Sequence, residues 1–537
     1  MRDAKVSYAL CAKKELRETL RSFAFYLIGV FLFLSAFVAI FNLQSSINIE
    51  NGLGTTALGI SYFISVFFAI FGAPVMINKY GAKRCVVVGD TAMFIFLLAN
   101  FYPTYYTLLP AGILMTVLQS PQFPSLSLMN TLYAKQVANL GKKSEDVYII
   151  SFSGYFFTAF QASQVFGNIL SYVILYGFDQ SENANYSNMS LGNISEVDYS
   201  ICGSADCQNE TIVSENILNY KPVNKISLYV LISIALLLEL TATLVHAFLL
   251  PNEDDFKNKS LQISQWKIKE TSPIDGSHED ENVIMGEIME KKDDINGDMD
   301  KICETKSCID HEEETAFLGL TEKKTERTTT GICDVAVNTA QSLIKHVADK
   351  TFLLLIPITL YNGLLMAFVF SELTRAYTSC SLGVQWVGIC MAIYGLSDAV
   401  LSWMVGKYGR KFGRIQCYLF ALIIECGNYI YCIFWTVGSH TLISIFALFF
   451  MFGFSDGIFQ TIINVTHLDF AEDKKSASSA WNVLIVIGNA LGFITSTVFC
   501  VRTRIYINLG FLIVGFVLLV ISDIIHRNRK KMNSECR

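Results

Sequence analysis

Apolar and polar positions along this chain alternate in long blocks, not in the short periods of a soluble fold. Windows of mostly apolar residues about 20 long, enough to cross a hydrocarbon layer as a helix, recur about twelve times. Six fall at 22–43, 56–77, 85–108, 109–133, 147–177 and 225–250. Six more fall at 351–371, 383–405, 415–436, 441–464, 476–500 and 504–525. The pattern predicts an all-α polytopic membrane protein with two six-helix halves, 22–250 and 345–525.

Polar segments assign the sides. Lys and Arg gather in alternate connections: residues 1–21, "NKYGAKR", "AKQVANLGKK", "GKYGRKFGR", "EDKK" and the tail 526–537. Positive residues stay on the cytosolic side, so both termini are expected in the cytosol. The connection 178–224, on the opposite side by this count, carries four glycosylation sequons, with acceptors Asn185, Asn188, Asn193 and Asn209. It also carries "CGSADC", whose Cys202 and Cys207 would share an oxidising compartment and are expected to pair with each other. The other cysteines read as small buried apolar residues.

Between the halves, residues 251–344 hold 22 Asp or Glu against 11 Lys or Arg, which predicts a flexible acidic cytosolic loop. Across the chain 52% of residues are hydrophobic and 16% charged, too apolar a balance for an ordinary soluble protein of 537 residues. With a net charge of −6 and basic residues dispersed among loops, nothing suggests nucleic-acid binding. No phosphate-binding loop, "HExxH", nucleophile elbow or paired metal ligands occur, so no enzyme activity, metal or cofactor is expected. Membrane lipid is the expected surrounding.

The halves look like copies of one unit. Lys79, Tyr80 and Gly81 echo Lys407, Tyr408 and Gly409, and "QVFGNILS" resembles "IVIGNALG" at the equivalent place. Gly81, Gly406, Gly409 and Gly413 suit tight turns there, while Lys79, Lys83, Arg84, Arg410 and Arg414 can pair with acidic groups or helix carboxyl ends. The second copy can be read in either of two registers, "GKYGRK" or "RKFGR". Six plus six windows around a long central loop resemble the major facilitator superfamily, and these loops resemble its signature. The first copy has Asn78 where that signature is usually acidic, which weakens the latch expected of a working transporter.

Four further stretches, "SFSGYFFTAFQASQVFGNILS", "YNGLLMAFVFSELTRAY", "GFSDGIFQTIIN" and "SASSAWNVLIVIGNALGF", resemble the Unc-ninety-three family within that superfamily. The resemblance implies a regulatory subunit of a two-pore potassium channel at the plasma membrane. A second branch of the family escorts receptors to endolysosomes. A secondary transporter of an unidentified small solute, coupled to a proton or cation, is the alternative.

Ionisable residues inside the windows are the candidate site, because a charge at mid-bilayer costs about 2.5–3.5 kcal/mol on insertion scales. They are Asp456, Asp398, Glu239 and Glu425, with Gln460 and Asn464 extending one polar helical face from Asp456. That face would either line a cavity or make a structural contact between helices. Asp90 reads as a partner for nearby Lys83 and Arg84, and Glu372 with Arg375 as a local ion pair.

Overall fold

The structure, a computed structural model, describes residues 2–141, 145–186, 199–207, 225–271, 341, 349–470 and 474–535. No strand occurs among the described residues, and a long helix lies in each predicted window, although the helix in the window 85–108 ends at Ala99 and residues 105–108 already begin the next one. They are α1 (Arg2–Phe41), α2 (Leu53–Phe67, running through Phe68–Gly72 into Ala73–Tyr80), α3 (Ala82–Ala99), α4 (Tyr105–Leu140), α5 (Glu145–Tyr186) and α6 (Lys225–Leu249). In the second half come α7 (Ile356–Phe368, continuing through Val369–Ser379), α8 (Val387–Phe412), α9 (Arg414–Phe434), α10 (Thr441–Phe470), α11 (Lys474–Val498) and α12 (Val501–Glu535). Nine helices among the described residues are long and apolar enough to cross a membrane. Helices α3, α4 and α5 fall outside that set. They carry polar residues such as Asp90, Gln119, Gln122, Ser163 and Asn168, all turned into the protein.

Two helices widen locally. In α2 the wide turn Phe68–Gly72 leads straight into Pro74, whose ring nitrogen cannot donate to the preceding turn. In α7 the wide stretch Val369–Ser379 buries Ser371, Glu372, Thr374 and Arg375, so its polar groups face protein on every side.

The chain forms two compact units. One comprises the described parts of Met1–Leu27, Ser127–Phe156 and Leu249–Gly331. Its core is aromatic: Phe23 packs on Phe152 at 4.3 Å between ring centroids, and Tyr133 meets the edge of Phe256 at 4.9 Å. Phe256 belongs to the helix Glu253–Thr271, which corrects the expectation of a flexible loop for those residues. Phe256 and Ile263, seven apart, are buried on one face, and Lys259 reaches Glu15 at 2.8 Å. Acidic residues at positions 253–255 open this helix, where the dipole favours them.

The other unit comprises Ile28–Leu126, Phe157–Phe248 and the described part of Ile332–Arg537. Phe41, Leu58, Ala367 and Phe493 form a buried cluster joining α1, α2, α7 and α11, covered by Phe37, Tyr62 and Phe370. Backbones come close where glycines allow it: a Cβ on Gly363 would overlap the carbonyl of Ile485, and one on Gly488 the carbonyl of Leu360.

Backbone geometry settles the register of the repeat. Gly81 has φ 84° and separates α2 from α3, while Gly413 has φ 86° and separates α8 from α9. Gly81 therefore corresponds to Gly413. Gly406 and Gly409 lie inside α8 and make no turn, which corrects the first alignment of the copies.

Candidate functional site

Asp456 sits between Gly453 and Gly457 on α10, and these two glycines are what bring α10 against α8. A Cβ on Gly453 would overlap the carbonyl oxygen of Tyr394, and one on Gly457 would press on the backbone of Asp398. The spacing is that of the small-residue motif that lets membrane helices approach closely. The carboxyl between them is fully buried. Three neutral donors reach it: Tyr394 Oη at 2.5 Å, Asn362 Nδ2 at 2.9 Å and Gln460 Nε2 at 3.2 Å. All three belong to the second half.

Glu425 on α9 is bound in the same manner. Tyr361 Oη donates at 2.9 Å and Asn428 Nδ2 at 3.1 Å, and the hydroxyl of Ser455, next to Asp456, also donates. Asp398 accepts from Ser402 Oγ at 3.1 Å. Asp456, Glu425 and Asp398 thus share one buried polar region. No lysine or arginine pairs with them among the described contacts. Neutral donors can stabilise a carboxylate or orient a carboxylic acid, so the region can hold and release a proton or accept a small cation. Asn464 does not join it, since its Oδ1 has no hydrogen-bond partner. Glu239 lies in the first half, on α6.

A second constellation corrects three sequence expectations: the Cys202–Cys207 bridge, the reading of Cys380 and Cys500 as small buried apolar residues, and the local Glu372–Arg375 pair. Cys202 pairs with Cys380 and Cys207 with Cys500, not with each other. The short turn Gly203–Ala205 points the two sulfurs at different helix ends, one after α7 and one before α12. Arg375 pairs with Asp206 at 2.6 Å, and Glu372 with Arg504 at 3.0 Å, so these neighbours on α7 do not pair with one another. Three positions along a widened helix do not share the face that ordinary helical spacing would give them. Tyr377 Oη donates to the carbonyl of Cys432 at 2.9 Å, and Ser204 Oγ to that of Ile433 at 3.0 Å. From the first half, Ser45 contacts Thr374 at 3.0 Å and Ser46 contacts Ser379 at 2.8 Å. This end is closed by covalent, ionic and hydrogen bonds together.

Asp90 also departs from expectation. It points away from Lys83 and Arg84 into the protein, against Gln122 and His246. The basic loops are placed unequally. Lys79 lies over the Tyr80 ring, while Arg414 pairs with Asp469 and reaches Asp523 at 3.7 Å. Lys83 is half-buried and Arg84 exposed. The side chain of Arg410 lies outside the described residues. So do Asn188, Asn193 and Asn209, and the side chain of Asn185 at the end of α5.

Sequence reasoning missed Tyr394, Asn362 and Tyr361 as ligands of the carboxyls. It also missed Asp206, Arg504, Cys380 and Cys500. A signal existed for the two cysteines, which fall at connections on the same side as "CGSADC" by the alternation of basic loops.

Comparison with known proteins agrees with this architecture. The model of the Major Facilitator Superfamily matches residues 227–493. "Protein unc-93 homolog A" of Xenopus laevis is 26% identical over 499 residues, covering 91% of this chain and 90% of its own. The "Putative potassium channel regulatory protein unc-93" of Caenorhabditis elegans is 24% identical over 438 residues, covering 81% of this chain and 51% of its own. Among solved structures, a point mutant of the nucleoside transporter NupG matches with a TM-score of 0.53 at 11% identity, covering 93% of this chain and 99% of its own. That likeness concerns the fold alone.

Proposed function

We propose that this chain, which is similar to Unc-93 proteins over about 90% of its length and has the major facilitator superfamily fold, is a non-catalytic regulatory subunit of a potassium channel. It binds a channel subunit through its membrane spans and alters gating or surface delivery. The name of the worm relative supports this reading. The observation that carries it is the closed end: two disulfides and the buried ion pair Arg375–Asp206 join the connection 178–224 of the first half to the second half, and a further buried pair, Glu372–Arg504, ties α7 to α12 beside them. A carrier must open each side in turn, and these links oppose opening on that side. A fixed scaffold has no such requirement.

The protein resides in the plasma membrane with both termini cytosolic, the endolysosomal membrane being the other location to examine. Surface biotinylation and accessibility of a terminal tag decide both points. The second reading is a secondary transporter of a small solute, and the network around Asp456 favours it, since intramembrane carboxyls suit proton or cation coupling.

The deciding experiment records whole-cell current from a two-pore potassium channel expressed alone and with this protein, with channel surface abundance measured in parallel. Changed current at constant abundance means gating, and a matched change in both means delivery. Unchanged current with every channel tried, together with solute uptake that Asp456→Asn abolishes, would replace the channel reading by transport.

A further inference from the structure

A second set of buried ionisable groups lies in the first half, separate from the Asp456 network. Asp90 on α3, Gln122 on α4, and Glu239 and His246 on α6 are all fully shut off from solvent. Gln122 Nε2 donates to Asp90 Oδ1 at 2.7 Å, and His246 Nδ1 meets Asp90 Oδ2 at 2.7 Å. Glu239 lies two helical turns before His246 on the same face of α6. Both of its carboxyl oxygens are buried without a hydrogen-bond partner, and so is His246 Nε2. The packing makes room for these groups, for a Cβ on Gly29 of α1 would overlap the His246 ring and one on Gly89 the Gln122 amide.

An ionised carboxylate buried without a partner is strongly disfavoured, and a second carboxylate nearby worsens it. His246 in its imidazolium form can balance Asp90. Among the described residues no lysine or arginine pairs with Glu239 or Asp90, and the charge that acts on Glu239 from another helix is that of Asp90 on α3. These side chains do not converge into a metal-holding group either.

We propose that Asp90, His246 and Glu239 form a proton-binding site of the first half. The hydrogen bond between His246 and Asp90 holds these two side chains in place, and Glu239 holds a proton that it takes up and releases when water gains access. The proposal does not depend on the channel reading, since either a regulator or a carrier can use proton occupancy to set its conformation.

The test is infrared difference spectroscopy of the full-length protein in lipid nanodiscs, following the carboxylic-acid C=O stretch during pH jumps. Wild type is expected to show a band of a weakly hydrogen-bonded acid that disappears as the pH is raised. Glu239→Gln should lose that band, and Asp90→Asn should shift the pH at which it disappears. A band that survives in Glu239→Gln would overturn the assignment, and one unchanged across the pH range where the protein stays folded would make Glu239 a fixed structural acid. Should Glu239→Gln fail to fold, ¹³C-labelled glutamate supplies the second measurement in wild type: a band that does not move with the label overturns the proposal.

Discussion

Asp206 and Arg375 stand 169 positions apart, on opposite sides of the acidic linker, and their side chains meet at 2.6 Å in a buried ion pair. The same short segment carries Cys202 and Cys207, each bonded into the second half, and its Asp206 carbonyl accepts from the Val501 amide at 2.9 Å. Burial of two charges is costly unless geometry and further bonds hold them, and here the covalent links on either side hold them.

Mass spectrometry of a non-reduced digest should recover Cys202 linked to Cys380 and Cys207 linked to Cys500. Cys380→Ser should lower stability by about 2–4 kcal/mol, seen in thermal unfolding in detergent. Recovery of a Cys202–Cys207 bridge would contradict the arrangement.

Arg504→Ala leaves Glu372 buried without its cation and should cost about 3–5 kcal/mol. The double variant Glu372→Leu with Arg504→Met removes both charges and should recover much of that loss. A double variant no more stable than Arg504→Ala would show that the pair itself is indispensable.

At the α8–α10 contact, Gly453→Val has no room and should cost about 1–3 kcal/mol or more, with reduced yield of folded protein. Gly427→Ala on α9 is the control, because a Cβ there meets nothing within 4 Å. It should be neutral or stabilising by up to about 1 kcal/mol. Equal behaviour of the two variants in a thermal unfolding assay would refute close packing at Gly453.

Asp349 caps the helix Lys350–Leu353, accepting from the Thr351 amide at 2.9 Å. The Thr351 hydroxyl, and then the amide and Arg529, hold its carboxyl below the usual range. A depressed folded pKa gives stability that is present above the unfolded value of about 3.9 and is lost as the pH falls through the folded value. Asp349→Asn keeps a capping oxygen but does not titrate. The stability difference between wild type and this variant should therefore shrink as the pH is lowered toward 3, and a constant difference in unfolding temperature would argue against the linkage.

The helices were legible because crossing a bilayer demands apolar runs of a definite length, and that demand is local. The polar positions of α3 to α5 were still recognisable within such runs. Pairings were not legible. Asp90 was given to Lys83 and Arg84, and Glu372 to Arg375, because the nearest opposite charge in sequence was the only candidate in view. Their real partners, His246 and Arg504, lie 156 and 132 positions away. Of the polar stripe, Gln460 is near Asp456 because i and i+4 share a helical face, whereas Asn464 one turn further makes no such contact.

The two disulfides have a topological consequence. Each connects a cysteine before the acidic linker to one after it, so the chain from 202 to 380 is a closed covalent loop that contains the whole linker. A protease that cuts the linker opens this loop without releasing either piece. The nicked molecule migrates as one species until a reductant divides it, and the two products then report where the cut was made.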